Sequence, residues 1–129
     1  ALGHNQFGDP FDDDDTDVGS LSGDLRPDWD EDWILFERER LRQLRVHALE
    51  SLCARLTRLG RFGEAVDAGL SAVSAEPLRE SAQRVLIAAH LAEGNISEAR
   101  RQFGMYRGVL ADHLGIEPTP ELAAAVGLR

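Results

Sequence analysis

The fold is decided by residues 52–65, LCARLTRLGRFGEA, because their pattern returns 34 residues later in residues 86–99, LIAAHLAEGNISEA. Among the positions at which the two copies are identical are Leu52 with Leu86, Gly60 with Gly94, Glu64 with Glu98, and Ala65 with Ala99. A sequence that repeats itself at a fixed spacing builds the same supersecondary unit more than once. We therefore expect two stacked units of similar structure.

The matched residues predict a pair of antiparallel helices in each copy. The glycines suit tight turns between helices, since glycine adopts left-handed backbone conformations at little cost. The alanines are small where the second helix crosses the first. A period of 34 residues is that of the tetratricopeptide repeat, and the two repeats are predicted to span residues 46–79 and 80–113. Because Gly69 is matched by the much larger Phe103, an accidental likeness between two generic helical hairpins remains the alternative.

Hydrophobic spacing predicts an all-α fold, a short α-solenoid of antiparallel hairpins with a long N-terminal helix. Residues 28–59 contain no glycine or proline, so they form either one long helix or two helices with a break near Arg45. Gly104 and Gly108 predict fraying or close packing of the fourth helix, since glycine is a poor helix former. The shorter helices are expected at about residues 62–75, 78–93, 97–114 and 120–127.

The predicted helices have recognisable start signals. Asp28 or Asp30 is predicted to cap the long helix, and Asn95 and Thr119 are predicted to cap later ones. An apolar stripe, widened by Leu49 and Leu59, is expected to pack the long helix against the rest of the domain, and its members are Trp33, Phe36, Leu41, Leu44, Ala48, Leu52 and Leu56. Phe62 and Ile96 are expected to fill the space beside the two glycine turns.

Charge divides the chain into two regions. The net charge is −9, and residues 1–37 hold twelve acidic side chains and one basic one. We predict an acidic, disordered tail over residues 1–27 and a folded domain over residues 28–129. A net negative charge disfavours nonspecific nucleic-acid binding. The single cysteine, Cys53, excludes an internal disulfide and fits a reducing cytoplasm, and no apolar run is long enough to span a bilayer.

Several further stretches resemble one bacterial family. They are WDEDW at residues 29–33, ERERLRQLR at 37–45, AEPLRES at 75–81, HLAEGN at 90–95 and LGIEPTPEL at 114–122. Together they resemble the bacterial transcriptional activator domain of the Streptomyces antibiotic regulatory proteins, over about residues 25–126. In that family a tetratricopeptide-like module follows a winged-helix DNA-binding domain and supports dimerisation and contacts to RNA polymerase. Residues 1–27 are too short and too acidic for a winged helix, so we expect an excised module or a free-standing relative.

The resemblance implies a protein–protein interaction domain of a transcriptional regulator. Its expected partners are RNA polymerase subunits, a winged-helix regulator or a second copy of the chain, and it is not expected to bind DNA alone. The alternative is a general tetratricopeptide scaffold that docks a peptide or a chaperone client. No nucleophile–base pair stands out, and the histidines lack helical metal-site spacing. We therefore expect no catalysis, no cofactor and no metal.

Two sets of residues are candidates for partner binding. If the repeats stack, the first helix of each pair presents an inward face formed by His47, Glu50, Thr57, Arg58, Ser81, Arg84 and Leu91. Arg58 and Arg84 stand out because a guanidinium binds a carboxylate through two hydrogen bonds. The second candidate is a basic surface formed by Arg38, Arg40, Arg42 and Arg45. There the interleaved Glu37 and Glu39 favour the alternative of an ion-paired face exposed to solvent. Cys53 and His90 are expected in the core.

Overall fold

The structure, a computed structural model, describes residues 27–128 and contains helices throughout that range. The helices are α1 (Pro27–Arg58), α2 (Phe62–Ala75), α3 (Glu80–Glu93), α4 (Ile96–Leu114) and α5 (Pro120–Ala125). Between residues 27 and 128 no residue lies in a strand, so the all-α prediction is confirmed. The predicted acidic tail lies outside the described residues except for Pro27. The domain boundary at residue 28 therefore stays a prediction.

The helix α1 begins earlier than predicted. Pro27 is its first residue, so Asp28 and Asp30 lie inside the first turn and the predicted caps are wrong. Proline suits the first helical position because its φ is already helical and its missing N–H has no partner there in any helix. The helix is uninterrupted to Arg58, so one long helix is found rather than two. Residue contacts divide the chain into two units, the first Ala1–Gln43 and the second Leu44–Arg129.

The described part of the first unit, residues 27–43, leaves large apolar side chains exposed. Trp29 is 62% exposed and Phe36 is 69% exposed, and Trp33, Leu35 and Leu41 are similarly open. The predicted packing role is therefore wrong for this part of the stripe, whereas Leu56, its last member, is buried. The physical reason is that apolar residues are spread around α1 instead of concentrating on one side, so a chosen run of three- to five-residue steps does not identify a buried face.

The second unit contains two helical hairpins turned by glycines. Gly60, between α1 and α2, has φ +77°, and Gly94, between α3 and α4, has φ +92°. In both turns the residue after the glycine donates its backbone N–H to a carbonyl five residues earlier: Arg61 to Leu56 and Asn95 to His90, each at 2.9 Å. This is the hydrogen bond that closes a Schellman turn. The predicted role of the repeated glycines is confirmed.

The core of the second unit has two hydrophobic clusters. One joins the end of α1 to α2 and α3, and its buried residues are Cys53, Leu56, Ala65, Ala68 and Ala89. The other joins α3, α4 and α5, and its buried residues are Ile87, Ala99, Phe103, Tyr106, Leu110, Leu122 and Val126. The repeated alanines Ala65 and Ala99 are fully buried, as predicted. The repeated leucines differ, because Leu86 is buried whereas Leu52 is exposed.

The two repeats differ at Gly69 and Phe103 because the side chains that surround these two positions differ. A Cβ atom added at Gly69 would lie 3.1 Å from the Leu86 side chain and 3.2 Å from the Cys53 sulfur. Phe103 instead packs in the cluster with Leu122 and Val126. The first position is therefore crowded by two neighbouring helices, whereas the second fills the space beside the short α5.

A pair of buried amides adds polar contacts to the packing of α3 and α4. Gln102 donates from Nε2 to Oε1 of Gln83 at 2.8 Å, and Gln83 donates from Nε2 to the Pro77 carbonyl at 3.0 Å. Both side chains are buried, where an unpaired amide would be costly. The two bonds link α3 and α4 to the segment that follows α2.

Other local predictions had mixed outcomes. Thr119 caps α5 by accepting the Leu122 N–H, whereas the side chain of Asn95 makes no cap bond at the start of α4. Ile96 is exposed and does not fill space beside the turn, while Phe62 is half-buried. The helix α4 passes through its two glycines without a break, and a Cβ atom at either would meet nothing within 4 Å. Neither fraying nor close packing is therefore found there. None of the described helices has the length and apolar character needed to cross a membrane.

Candidate partner-binding surface

Three of the predicted partner-binding residues meet in one polar network. Glu50 of α1 accepts two hydrogen bonds through Oε2, one from Arg79 Nε and one from Ser81 Oγ, each at 2.7 Å. A second guanidinium nitrogen of Arg79 lies 3.1 Å from Nε2 of His47. The Glu50 carboxylate and the Arg79 guanidinium are mostly shielded from solvent. The network therefore ties α1 to the start of α3, and Glu50 is held within the fold.

The other members on α1 and α3 have different surroundings. Thr57 donates its hydroxyl to the Cys53 carbonyl of its own helix at 2.8 Å. Leu91 packs against the cluster formed by α3, α4 and α5. Arg58 is exposed, and no side-chain partner is found for it among the described residues. Of these three residues, only Arg58 offers an open polar group.

Arg84 lies beside a carboxylate that organises the C-terminal part of the domain. Glu80 accepts hydrogen bonds from the Tyr106 hydroxyl at 3.0 Å and from the Thr119 backbone N–H at 3.2 Å, and it also accepts the Thr119 hydroxyl. Arg84 is exposed and reaches Glu80 at 3.5 Å. This arrangement fixes the segment before α5 against the first turn of α3.

The protonation of this cluster follows from its hydrogen bonds. Burial by itself raises the pKa of Glu80, but the bonds from Thr119 and Tyr106 and the charge of Arg84 outweigh it, so the net pKa lies below its usual value. Burial and the adjacent Glu80 carboxylate raise the pKa of the Tyr106 phenol. At neutral pH the cluster therefore consists of a carboxylate that accepts and hydroxyls that donate.

The predicted basic surface is divided by ion pairs. Arg40 pairs with Glu37, and Arg42 pairs with Glu39, each three residues away on α1. The hydrogen bonds from Arg42 and Gln43 lower the pKa of Glu39. Arg38 is half-buried. These contacts favour the alternative of an ion-paired face for this part of the helix.

Arg45 differs from its neighbours in the predicted basic surface. It is exposed, and no partner for its guanidinium is found among the described residues. It borders a groove of about 400 Å³ whose other lining residues are uncharged: Leu70, Ser71, Ser74 and Ala75 of α2. Arg45 is therefore open to a group supplied from outside the domain.

The residues expected in the core are buried to different extents. Cys53 is fully buried, its sulfur donates weakly to the Val85 carbonyl, and burial raises the pKa of its thiol. His90 is half-buried, and its Nδ1 atom has no hydrogen-bond partner among the described residues. Within residues 27–128, no group of three histidine, cysteine or acidic side chains is arranged to hold a metal ion.

Sequence reasoning missed the residues that organise these clusters. Arg79 holds Glu50 across 29 positions of sequence, and Tyr106 and Thr119 converge on Glu80 from two other elements. Such convergence depends on how helices are placed side by side, which spacing along one helix does not reveal. The one available signal was the cap at Thr119, which fixes the start of α5.

The arrangement of the helices and their turns defines the class of protein. Two antiparallel hairpins with matching glycine turns and alanine contacts form an all-α, tetratricopeptide-like domain. The family described as "Bacterial transcriptional activator domain" matches residues 18–126. The chain belongs to this family of bacterial transcriptional regulators. The match starts ten residues before the domain boundary predicted from the sequence.

A known relative agrees with the family assignment. The chain is 33% identical over 87 residues to "Regulatory protein AfsR" of Streptomyces griseus. The aligned part is 67% of this chain but 9% of that relative, so the chain spans a small part of the relative's length. No solved structure matches the chain significantly.

Proposed function

We propose that the chain is a protein–protein interaction module of a transcriptional regulator. It contacts RNA polymerase, a partner regulator or another copy of itself, and it neither binds DNA alone nor catalyses a reaction. The observation that carries the proposal is the family match, which extends over nearly the whole helical domain. The net charge of −9 supports a protein partner over the phosphate backbone of DNA. Such a role places the chain in the bacterial cytoplasm.

The predicted partner-binding set supplies the contacts in this proposal. Its members are His47, Glu50, Thr57, Arg58, Ser81, Arg84 and Leu91, but they contribute unequally. Glu50, Ser81 and Leu91 shape the surface from within, because their contacts are internal. Arg58 and Arg84 are exposed and are suited to bind carboxylates of a partner.

Binding to purified polymerase tests the proposal. The chain is immobilised, and Streptomyces RNA polymerase holoenzyme is titrated over it. We expect saturable binding that Arg58→Glu with Arg84→Glu weakens about tenfold or more. The control is Arg101→Glu with Arg107→Glu, which makes the same charge change at two exposed arginines of α4.

Two results would contradict the proposal. One is sequence-specific retardation of promoter DNA by the chain alone in a gel-shift assay. The other is absence of binding to the polymerase, to a winged-helix regulator of the same organism and to itself. Tight binding of a chaperone tail peptide in place of these partners would favour the general scaffold.

A further inference from the structure

The second unit distributes its arginines unevenly. Six arginines between residues 61 and 107 bind carboxylates or backbone carbonyls, and these are Arg61, Arg79, Arg84, Arg100, Arg101 and Arg107. Arg45, Arg55 and Arg58 are exposed and have no such partner among the described residues. All three lie on α1. The arginines of the described second unit that have no such partner are therefore concentrated on this helix.

Exposed leucines share the same side of α1 with two of these arginines. Leu44 is 51% exposed, Leu52 is 45% exposed, and Leu59, which directly follows the helix, is 59% exposed. We define the outer α1 face as Leu44, Arg45, Ala48, Leu52, Arg55 and Leu59. At about 100° per residue, these six positions fall within an arc of about 100°. The buried side of the same stretch, with Val46, Cys53 and Leu56, points elsewhere.

The outer α1 face has little internal negative charge to balance its arginines. Between residues 44 and 59 the sequence contains one carboxylate, Glu50, and Glu50 is bound by Arg79 and Ser81. The groove beside Arg45 is otherwise lined by uncharged residues. A carboxylate arriving there would meet an arginine and two serine hydroxyls with no acidic competitor in the groove lining.

We propose that the outer α1 face binds an acidic amphipathic helix of a protein partner. Leucines at near-heptad spacing fit the apolar side of such a helix, as in other helix-in-groove contacts. Flanking aspartates or glutamates of the partner pair with Arg45 and Arg55. The proposal rests on the proposed function, because it names the partner chemistry for one surface of an interaction module.

Charge decides between this occupant and the others. Two copies of the outer α1 face pressed together would bring Arg45 and Arg55 of each copy close to arginines of the other without a carboxylate between them, which is unfavourable. A nucleic acid would satisfy the arginines but leave the three leucines without apolar contacts. An acidic amphipathic helix satisfies both kinds of side chain.

The test uses the complete chain and a designed peptide. The probe is a fluorescein-labelled helix of about five turns, with leucine at every third or fourth position and glutamate on both flanks. The matched peptide has lysine in place of every glutamate. Fluorescence anisotropy is expected to show saturable binding of the glutamate helix and at least tenfold weaker binding of the lysine helix.

Variants locate the binding. Arg45→Glu with Arg55→Glu is expected to weaken the glutamate helix about tenfold or more, and Leu52→Ser to weaken it several-fold. The control for charge is Arg101→Glu with Arg107→Glu, and the control for apolar surface is Leu114→Ser at the exposed end of α4. Both controls should stay within about twofold of the unmodified chain, with circular dichroism confirming that every variant is folded.

Several outcomes would overturn the proposal. These are absence of binding up to about 1 mM peptide, equal binding of the lysine helix, or equal losses in the control variants. Displacement of the peptide by random duplex DNA at similar concentration would assign the face to phosphates. A dimer in sedimentation that Leu52→Ser dissociates would assign it to a second copy.

The polymerase assay separates this proposal from the proposed function. The variant that combines Arg45→Glu with Arg55→Glu can still bind the polymerase and the glutamate helix as tightly as the unmodified chain does. That result would overturn the outer-face assignment, but it would leave the proposed interaction module intact. Absence of polymerase binding by the unmodified chain would count against the proposed function. The peptide titration would still decide what the outer α1 face binds.

Discussion

Gly69 lies at a position where the fold leaves little room for a side chain. The helices α1, α2 and α3 approach so closely at this position that an added Cβ atom would lie within 3.2 Å of fully buried Leu86 and Cys53. Interiors are densely packed, so such neighbours have little room to move. Glycine therefore lowers the helix propensity at this position but allows the helices to approach more closely.

Gly69→Ala is expected to destabilise the domain by about 1–3 kcal/mol, because overpacking outweighs the gain in helix propensity. The matched control is Gly104→Ala, whose Cβ atom meets nothing within 4 Å and which should stabilise the domain by about 0.5–1 kcal/mol. Thermal unfolding followed by circular dichroism measures both. A higher melting temperature for Gly69→Ala would show that α2 can shift away from α3.

The repeated glycines and alanines were the most predictable residues, whereas the repeated leucines differ because Leu52 is exposed and Leu86 is buried. The glycine turns and the alanine contacts followed from comparing the chain with itself, since equal positions in equal units face equal neighbours. Gly69 and Phe103 break that equality because α5 is shorter than the helix that a third repeat would supply. The exposure of Trp33 and Phe36 could not be predicted, because periodicity shows which side chains align but not whether another element covers them.

The short helix α5 depends on contacts outside itself. With six residues it is too short to be stable alone. Two contacts fix it: Leu122 is buried in the cluster with α3 and α4, and Thr119 binds Glu80 at the start of α3. The contact between Thr119 and Glu80 spans 39 positions, and its prediction would have required the packing of α3 beforehand.

Glu80→Gln is expected to lower the free energy of unfolding by about 1–2 kcal/mol at pH 7, because bonds to an ionised acceptor become neutral ones. The folded-state pKa of Glu80 lies below its usual value of 4.5, so its contribution is complete above that value. It is lost as the pH falls through the lower folded-state pKa.

Urea unfolding between pH 7 and pH 3 measures this pH dependence. The difference between the unmodified chain and Glu80→Gln should shrink on acidification. Glu93→Gln, at the exposed end of α3, is the control and should differ little at any pH. A difference for Glu80→Gln that stays constant down to pH 3 would contradict the assigned role of the carboxylate.

At the scale of the whole molecule, burial and charge are separated along the chain. Every buried hydrophobic residue among the described ones lies at Val46 or later. Residues 1–43 hold thirteen acidic and four basic side chains, whereas residues 44–129 hold ten of each. The net charge thus belongs to the first unit, and the described hydrophobic core belongs to the second.

A fragment of residues 44–129 is therefore expected to fold by itself. It should keep its helical circular dichroism, unfold in one cooperative transition, and melt within about 5 °C of the complete chain, since few core contacts are lost. Its net charge should be near zero, which predicts lower solubility near neutral pH. A fragment without a cooperative transition would show that the removed residues 1–43 stabilise the core after all.

The placement of aromatic residues affects how unfolding is observed. Both tryptophans of the protein, Trp29 and Trp33, are solvent-exposed near the start of α1, whereas the single tyrosine, Tyr106, is buried. Tryptophan emission will consequently report on the beginning of one helix and change little when the interior melts. An experimenter who relied on that signal would miss the main transition, whereas tyrosine absorbance or fluorescence would detect it.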